Sequence, residues 1–425
     1  MSANVYHEFT WRGMVYDGTE GVADVLDREK VTAYIGFDPT AASLHVGSLL
    51  PMMALARLQR FGHSPIAIVG GGTGLIGDPS GKAQERALLT VAQIEENLRG
   101  IRAQLARALD FDAAPNPARI VNNADWLCQL DVMMFLRDIG KNFTVNYMLA
   151  KESVNRRLEQ EEGISFTEFS YLLLQAYDFL TLYDRYGCTL QMGGSDQWGN
   201  ITAGCDLIRK TRGGKAHGLV LPLVTSASGV KFGKTEAGTI WLDPELTKPY
   251  DFYQFWLNTD DQDVVKYLKY FTFLGAAEIR DLEASVVASP EKREAQRALA
   301  REVTRLVHGP EALESAERGA ARMFGGNLKE TSASELLADL EHLPSVEVAF
   351  VPDGLPITRL VVDSGLEPSS SSAIRLIRGG GLYLNEQRVS DERQRVTADG
   401  AIGGEFFVLR KGKRDRRVVR VKKAP

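Results

Sequence analysis

Tyr34-Ile35-Gly36-Phe37-Asp38-Pro39-Thr40-Ala41-Ala42-Ser43-Leu44-His45-Val46-Gly47-Ser48 decides how this chain folds. The apolar run from Val31 to Phe37 reads as a strand that breaks at Pro39, because proline fixes φ and has no N–H to give a ladder. The apolar-periodic segment Leu49 to Phe61 reads as a helix, so His45 is expected where strand hands over to helix. Helix N-termini carry unpaired N–H groups and a partial positive charge, and such a corner attracts phosphate oxygens. Gly47 leaves room for a flat ligand to approach the backbone.

Working outward, Pro65–Gly70 reads as a second apolar strand, ending in Gly70-Gly71-Gly72. Val91–Leu109 and Phe166–Tyr186 carry helical periodicity, and Arg119–Val121, Thr189–Met192 and Leu219–Val224 read as further strands. This alternation implies an α/β fold with a doubly wound, parallel, Rossmann-like sheet. Ligands of such sheets bind beyond the carboxyl ends of the strands, where Asp38, Gly70 to Asp78, and Gly193 to Gln197 all fall.

The pattern from Lys248 to about Met323 is helical, with Tyr250, Phe252, Tyr253, Phe255 and Trp256 as a candidate core. Gly325 to Asp353 reads as a polar linker with some helix. Near Pro356 a last domain begins: Ser369 to Ser372 offer a helix cap, Gly379-Gly380-Gly381 a stop, and Leu382–Asn385 a strand. The expected organisation is a catalytic domain over 1–225, a lysine loop over 226–247, a small helical domain over 248–325, a linker over 326–352 and an α+β module over 353–425.

At 425 residues the chain exceeds one ordinary core, and 44% apolar with 25% charged residues is a globular composition. No segment reaches membrane-spanning length and Met1 to Gly13 lacks a signal-peptide core, so the expected location is cytoplasmic. Cys128, Cys188 and Cys205 are odd in number and lack CxxC spacing, so they read as core thiols, with neither a disulfide framework nor a structural metal. The net charge of -5 hides a basic tail, with fifteen Lys/Arg against nine Asp/Glu from Asp353 to Pro425. Arg410 to Lys423 reads either as a phosphate-backbone contact or as a solvated edge strand.

Asp38 to Ser48 resembles the HIGH signature of class I aminoacyl-tRNA synthetases, and Lys231-Phe232-Gly233-Lys234-Thr235 resembles their KMSKS loop. With Gly70 to Lys82, Gln191 to Asn200 and the last domain, nearly the whole chain resembles the bacterial tyrosyl-tRNA synthetases. The resemblance implies ATP as substrate with Mg²⁺, L-tyrosine and tRNA for tyrosine as partners, and a homodimer. Leu355 to about Val421 resembles an RNA-binding module first named for a ribosomal small-subunit protein, with Arg375, Arg378, Lys411, Lys413 and Arg414 as candidate RNA contacts. Val132, Met133, Met134, Phe135 and Leu136 read as a dimer surface or as ordinary core.

Tyr171, Gln175 and Asp178 stand at i, i+4 and i+7, within a sector of roughly 60° on one helix face. The resemblance implies that Tyr171 and Gln175 hold the α-amino group of tyrosine, helped by Asp78, and that Tyr34 and Asp178 hydrogen-bond its phenolic hydroxyl. It assigns the γ-phosphate to Thr40 and His45, and ribose and tyrosine to Asp196 and Gln197. Gly36, Asp38, Gly47, Ser48, Gly194 and Thr235 complete the implied ATP site. Tyrosine's carboxylate is already ionised, so activation needs positioning and charge stabilisation more than acid–base chemistry. His45, Lys231 and Lys234 are the natural donors; Lys82 and Arg86 read as further phosphate contacts or as solvated helix-start charges. A phenylalanine in this pocket would leave Tyr34 and Asp178 unpaired, which favours tyrosine without an editing domain.

Two departures mark the chain. Ser48 stands where the HIGH motif ends in histidine, and Phe232, Gly233 and Thr235 replace the middle and last positions of KMSKS while both lysines remain. Gly229, Gly233 and Gly238 bracket the loop as candidate hinges. The rivals are a tryptophan enzyme, a non-catalytic RNA-binding protein, and a nucleotidyltransferase acting on a small acid.

Overall fold

Short apolar runs separated by long amphipathic helices fold into one six-stranded sheet. A computed structural model describes residues 4–80, 89–160, 163–227, 232–235, 238–325, 345–412 and 415–422. The strands are β1 (Asp17–Gly18), β2 (Thr32–Phe37), β3 (Ser64–Val69), β4 (Arg119–Asn122), β5 (Cys188–Gly194) and β6 (His217–Leu221), in spatial order β1-β6-β5-β2-β3-β4. All neighbours run parallel except β1, which is antiparallel to β6. From β2 the chain adds β3 and β4 on one side, then returns to place β5 and β6 on the other. The winding reverses between β2 and β5, and beyond the carboxyl ends of these two strands a crevice opens.

β3 is buried over Pro65–Val69 because helices cover both faces of the sheet. The helix Leu49–Arg60 buries nine consecutive or near-consecutive residues from Leu49 to Leu58. Each large apolar side chain so covered contributes about 1.5–3 kcal/mol. The helix Phe166–Tyr186 has the expected bounds for local reasons. Ser165 caps it by accepting from the Glu168 N–H, and Gly187, at φ +59°, ends it in a conformation that costs other residues energy. Glu168 is buried against Arg157 at 2.9 Å, an ion pair that joins this helix to the helix Glu152–Leu158.

One compact unit spans Met1–Pro310 and a second spans Glu311–Pro425. The helices Pro249–Leu257, Asp261–Phe271 and Glu294–His308 therefore pack within the same unit as the sheet. Phe252, Tyr253 and Trp256 are buried there, as the aromatic cluster required. Two buried arginines join this segment to the sheet layer. Arg57 donates to the Tyr270 carbonyl at 3.0 Å and to the Thr272 carbonyl at 2.5 Å, while Arg12 donates to those of Lys269 and Leu274. Both cations satisfy the unpaired carbonyls at the C-terminal end of the helix Asp261–Phe271.

The second unit holds a five-stranded sheet ordered Gln387–Arg388, Leu382–Leu384, Phe406–Lys411, Asp415–Lys422 and Ser345–Ala349. The last strand corrects the expected linker over 326–352, since Ser345–Ala349 pairs in parallel with Val418–Lys422. Val346 and Val348 alternate with Glu347, and that short alternation marks an edge strand. The helices Ile357–Asp363 and Ser370–Arg378 close the core with Leu360, Ala373, Ile377, Phe407 and Val419. Ser369 accepts from the Ser372 N–H at 3.2 Å, the expected cap. Of the three free thiols Cys188 is buried and Cys205 half-buried, but Cys128 is exposed, so it is not a core residue.

Candidate active site

A crevice of about 710 Å³, counted out to its open mouth, lies at the carboxyl ends of β2 and β5. Its lining includes Tyr34, Gly36 and Asp38 from β2 and its end, Gly194 from the end of β5, Asp78 and Gln197 from turns beyond the strands, and Tyr171, Gln175 and Asp178 from one helix face. The three polar residues spaced along Phe166–Tyr186 thus share one cavity, and every residue expected to hold tyrosine lines it.

At its buried end stand Tyr34 and Asp178, 1% and 3% exposed. Asp178 accepts from Asn123 Nδ2 at 3.0 Å and from Trp126 Nε1 at 2.7 Å. Burial pushes its carboxyl up to about 7; the bonds from Asn123 and Trp126 pull down, and the charge on Asp38 adds to the rise. The Tyr34 hydroxyl is buried without a hydrogen-bond partner among the described residues. Its pKa lies well above the ordinary tyrosine value, through burial first and the Asp178 charge second, so it stays protonated. A buried donor and a buried carboxylate in one cavity match a hydroxyl that gives one hydrogen bond and takes another.

Asn123 and Trp126 were not among the expected site residues. Asn123 also donates to Thr73 Oγ1 at 2.9 Å and accepts from the Gly72 N–H at 2.8 Å, which ties the glycine-rich turn after β3 to Asp178. Asn123 directly follows β4, and the position of polar residues beyond a strand's carboxyl end was the one signal available in the sequence.

A second network lines the middle of the crevice. Gln197 donates to Asp78 Oδ2 at 2.8 Å and accepts from Gln175 at 3.2 Å, while Asn200 donates to Gln175 Oε1 at 3.0 Å. Asp78 also accepts from the Ser80 N–H at 2.8 Å. The Tyr171 hydroxyl lies 3.4 Å from Asp38 Oδ2. Carboxylates of Asp38 and Asp78 beside amide and phenol groups suit an ammonium group.

Towards the mouth the groups change character. Thr40, His45 and Asp196 are exposed, and Gly36, also exposed, leaves the strand open to a flat ligand. After β2 a loop from Asp38 to Leu44 leads to His45, which stands in the strand-to-helix connection as expected and caps the short 3₁₀ turn Val46–Ser48 that runs directly into the helix. Its Nδ1 accepts from the Gly47 N–H at 3.0 Å, which leaves the ring proton on Nε2 as a donor. Ser48 is half-buried at the end of this turn, and its N–H donates to the His45 carbonyl at 2.8 Å. Lys82, Arg86 and Lys231 lie outside the described residues, as do Lys413 and Arg414 of the tail, and Lys234 and Thr235 are described by backbone alone, paired with Gly238–Thr239. Gly233 and Gly238 take φ of +78° and +116°, conformations open chiefly to glycine.

In the second unit Arg378 is held by Glu392 through bonds of 2.7 and 2.9 Å, and Lys411 lies 2.8 Å from Glu367, so two expected RNA contacts are engaged with carboxylates. Arg375 is exposed on the same helix. Val132, Met133, Met134 and Leu136 are exposed, whereas Phe135 packs against the core.

Residues 26–325 match the family of class I tRNA synthetases for W and Y, and residues 335–419 match the SYY-like C-terminal domain of tyrosine–tRNA ligases. The tyrosine–tRNA ligase of Roseiflexus castenholzii is 55% identical over 98% of this chain and 99% of its own length. That of Geobacillus stearothermophilus is 53% identical over 97% and 98%. A C-terminally truncated mitochondrial tyrosyl-tRNA synthetase from Aspergillus nidulans superposes with a TM-score of 0.69 at 30% identity, covering 76% of this chain and 94% of that one. A tryptophanyl-tRNA synthetase from Plasmodium falciparum shares the fold at 14% identity, with a TM-score of 0.53 over 79% of this chain and 88% of that one, so fold alone does not choose the amino acid. The crevice, both sequence signatures and the near full-length identity agree: the chain belongs to the class I aminoacyl-tRNA synthetases, in the bacterial tyrosyl-tRNA synthetase family.

Proposed function

We infer that this chain is a tyrosine–tRNA ligase, and the observation that carries the reading is the buried pair Tyr34 and Asp178 at the closed end of the crevice. The carboxylate oxygen of L-tyrosine attacks the α-phosphorus of ATP, the bond to the β-phosphate oxygen breaks, and pyrophosphate leaves. A hydroxyl of the ribose at the 3′ end of tRNA then attacks the activated carbonyl and AMP leaves. ATP enters as its Mg²⁺ complex, a substrate and not a resident group.

Tyr34 donates to the phenolic oxygen, which donates to Asp178; Asn123 and Trp126 hold that carboxylate in place as positioning residues. Asp78, Tyr171 and Gln175 receive the ammonium group, with Gln197 orienting Asp78. Asp196 and Gly194 meet the ribose, and Gly36, Asp38, Gly47, Ser48 and Thr235 line the remaining nucleotide site. Thr40, the Nε2 proton of His45, Lys231 and Lys234, with Lys82 and Arg86, stabilise charge as pyrophosphate departs. The basic stretch from Asp353 on contacts tRNA, with Arg375 a better candidate than the paired Arg378. A second copy of this chain covers the exposed face of Val132, Met133, Met134 and Leu136, and the enzyme works in the cytoplasm. Among the described residues no helix is long and apolar enough to cross a membrane.

ATP–pyrophosphate exchange with purified protein, offering each of the twenty amino acids separately, tests the reading. Exchange with tyrosine, near background with phenylalanine, is expected. Exchange with tryptophan would keep the chemistry and overturn the pocket assignment; no exchange at all would favour a non-catalytic RNA-binding protein.

A further inference from the structure

Phe232, between the two signature lysines, is buried among the rings of the helical segment. Its centroid lies 5.0 Å from that of Tyr267, 5.8 Å from Trp256 and 5.9 Å from Phe255, and it stacks on Phe271 at 5.5 Å with planes 8° apart. These partners come from the helices Pro249–Leu257 and Asp261–Phe271. The second helix also holds the chain just before the loop: Tyr267 and Lys266 donate to the Thr225 carbonyl, and the Ala227 N–H donates to Asp263.

On its other side the loop is joined to the His45 turn. The Gly233 carbonyl accepts from Ile240, the Ile240 carbonyl accepts from Val46 at 3.0 Å, and the Leu242 N–H donates to the Leu44 carbonyl at 2.9 Å. Gly233 passes so close to this turn that a Cβ on it would lie 2.5 Å from Val46 Cγ2. The aromatic box itself has a fixed place relative to His45, because Arg57, on the helix that follows His45, binds the carbonyls of Tyr270 and Thr272 next to Phe271. Phe232 is thus tied to the His45 turn along two routes, one through Phe271, whose neighbours Tyr270 and Thr272 bond Arg57 on the helix that follows the turn, and one through Gly233 against Val46.

We propose that Phe232 is a positioning residue for amino-acid activation: seated in the box of Phe255, Trp256, Tyr267 and Phe271, its ring sets where Lys234, two residues on, meets the departing phosphates. The proposal rests on the activation reaction inferred above. A solvated loop residue at this position would need no aromatic ring, and an ordinary core residue would not have its neighbour Gly233 packed against the His45 turn.

The test uses the full-length chain and measures exchange kinetics together with tyrosine binding at equilibrium. Phe232→Ala is expected to lower exchange kcat on the order of 10²-fold, as a misplaced group does, with tyrosine Kd within about twofold of wild type. Phe232→Leu, which fills most of the box, is expected to recover most of the rate and keeps the question open to measurement if the alanine variant folds poorly. In a Lys234→Ala background Phe232→Ala is expected to cost far less, because the group it positions is gone. A kcat unmoved by Phe232→Ala, or an equal loss with and without Lys234, overturns the proposal alone. Absence of exchange in the wild-type chain removes the reaction and the proposal with it.

Discussion

At the closed end of the crevice the polar groups are buried and held by one another, with Asp178 fixed from two sides and Asp78 held by Gln197 and Ser80. Towards the mouth Thr40, His45 and Asp196 are exposed, and the backbone of Lys234 lies between Gly233 and Gly238, whose φ angles are open chiefly to glycine. The contrast suits what each end does in the proposed reaction. Recognition of a small hydroxyl needs desolvated partners fixed in advance, whereas a leaving pyrophosphate needs donors that meet it and then let it go. Changes at the two ends should therefore appear in different constants.

The largest effect is expected from His45→Ala. Loss of one donor to a developing phosphate charge typically costs about 10²–10³-fold in kcat, and tyrosine Kd should not move. Pre-steady-state exchange with a parallel binding titration checks this; an equal loss in both constants would erase the division between the two ends.

Asp178→Ala should act in the opposite sense, weakening tyrosine binding by roughly 1.5–3 kcal/mol, the range for a hydrogen bond to a charged group. Calorimetric titration measures it directly. Asn123→Ala should weaken tyrosine binding less, since Trp126 still holds the carboxylate.

Smaller again is the pH dependence. Burial raises the folded-state pKa of Asp178 to about 7, above its unfolded value, so its stabilising contribution is full below the ordinary carboxylate range and is lost as pH rises through about 7. Asp178→Asn should accordingly gain stability relative to wild type as pH rises through that window, which denaturant titrations at several pH values would reveal. A phenol donating to the ionised carboxylate reverses the preference for tyrosine binding. Affinity should rise about tenfold from about pH 6 to 8, following the ionised fraction of a group titrating near 7, and Asp178→Asn should flatten that rise.

Much of this arrangement is legible in the chain because it is local. The helix Phe166–Tyr186 is bounded by Ser165 and Gly187, and its i, i+4, i+7 spacing already places Tyr171, Gln175 and Asp178 on one face. The parts that escaped are joined through space. Asn123 and Trp126 reach Asp178 from more than fifty residues away in sequence, and beyond the place of Asn123 after a strand end nothing near them marks the contact. β1 is two residues long and defined only by its partner β6. Ser345–Ala349 looks like linker until Val418–Lys422 supplies its other side. The carboxylates that engage Arg378 and Lys411 lie on other segments, so charge counting alone did not show these ion pairs. Phe232 reads as a departure from a signature, and only the four rings around it give it a purpose.

The contrast between the two ends turns on a hydroxyl, that of Tyr34, buried without a hydrogen-bond partner among the described residues. The ratio of kcat/KM for tyrosine over phenylalanine in ATP–pyrophosphate exchange, compared between wild type and Tyr34→Phe, tests this directly. Removal of one neutral hydrogen bond should lower the ratio by about 2- to 12-fold, corresponding to roughly 0.5–1.5 kcal/mol, with kcat for tyrosine nearly unchanged. An unchanged ratio, or a loss carried wholly by kcat, would contradict the assignment of the buried end to hydroxyl recognition.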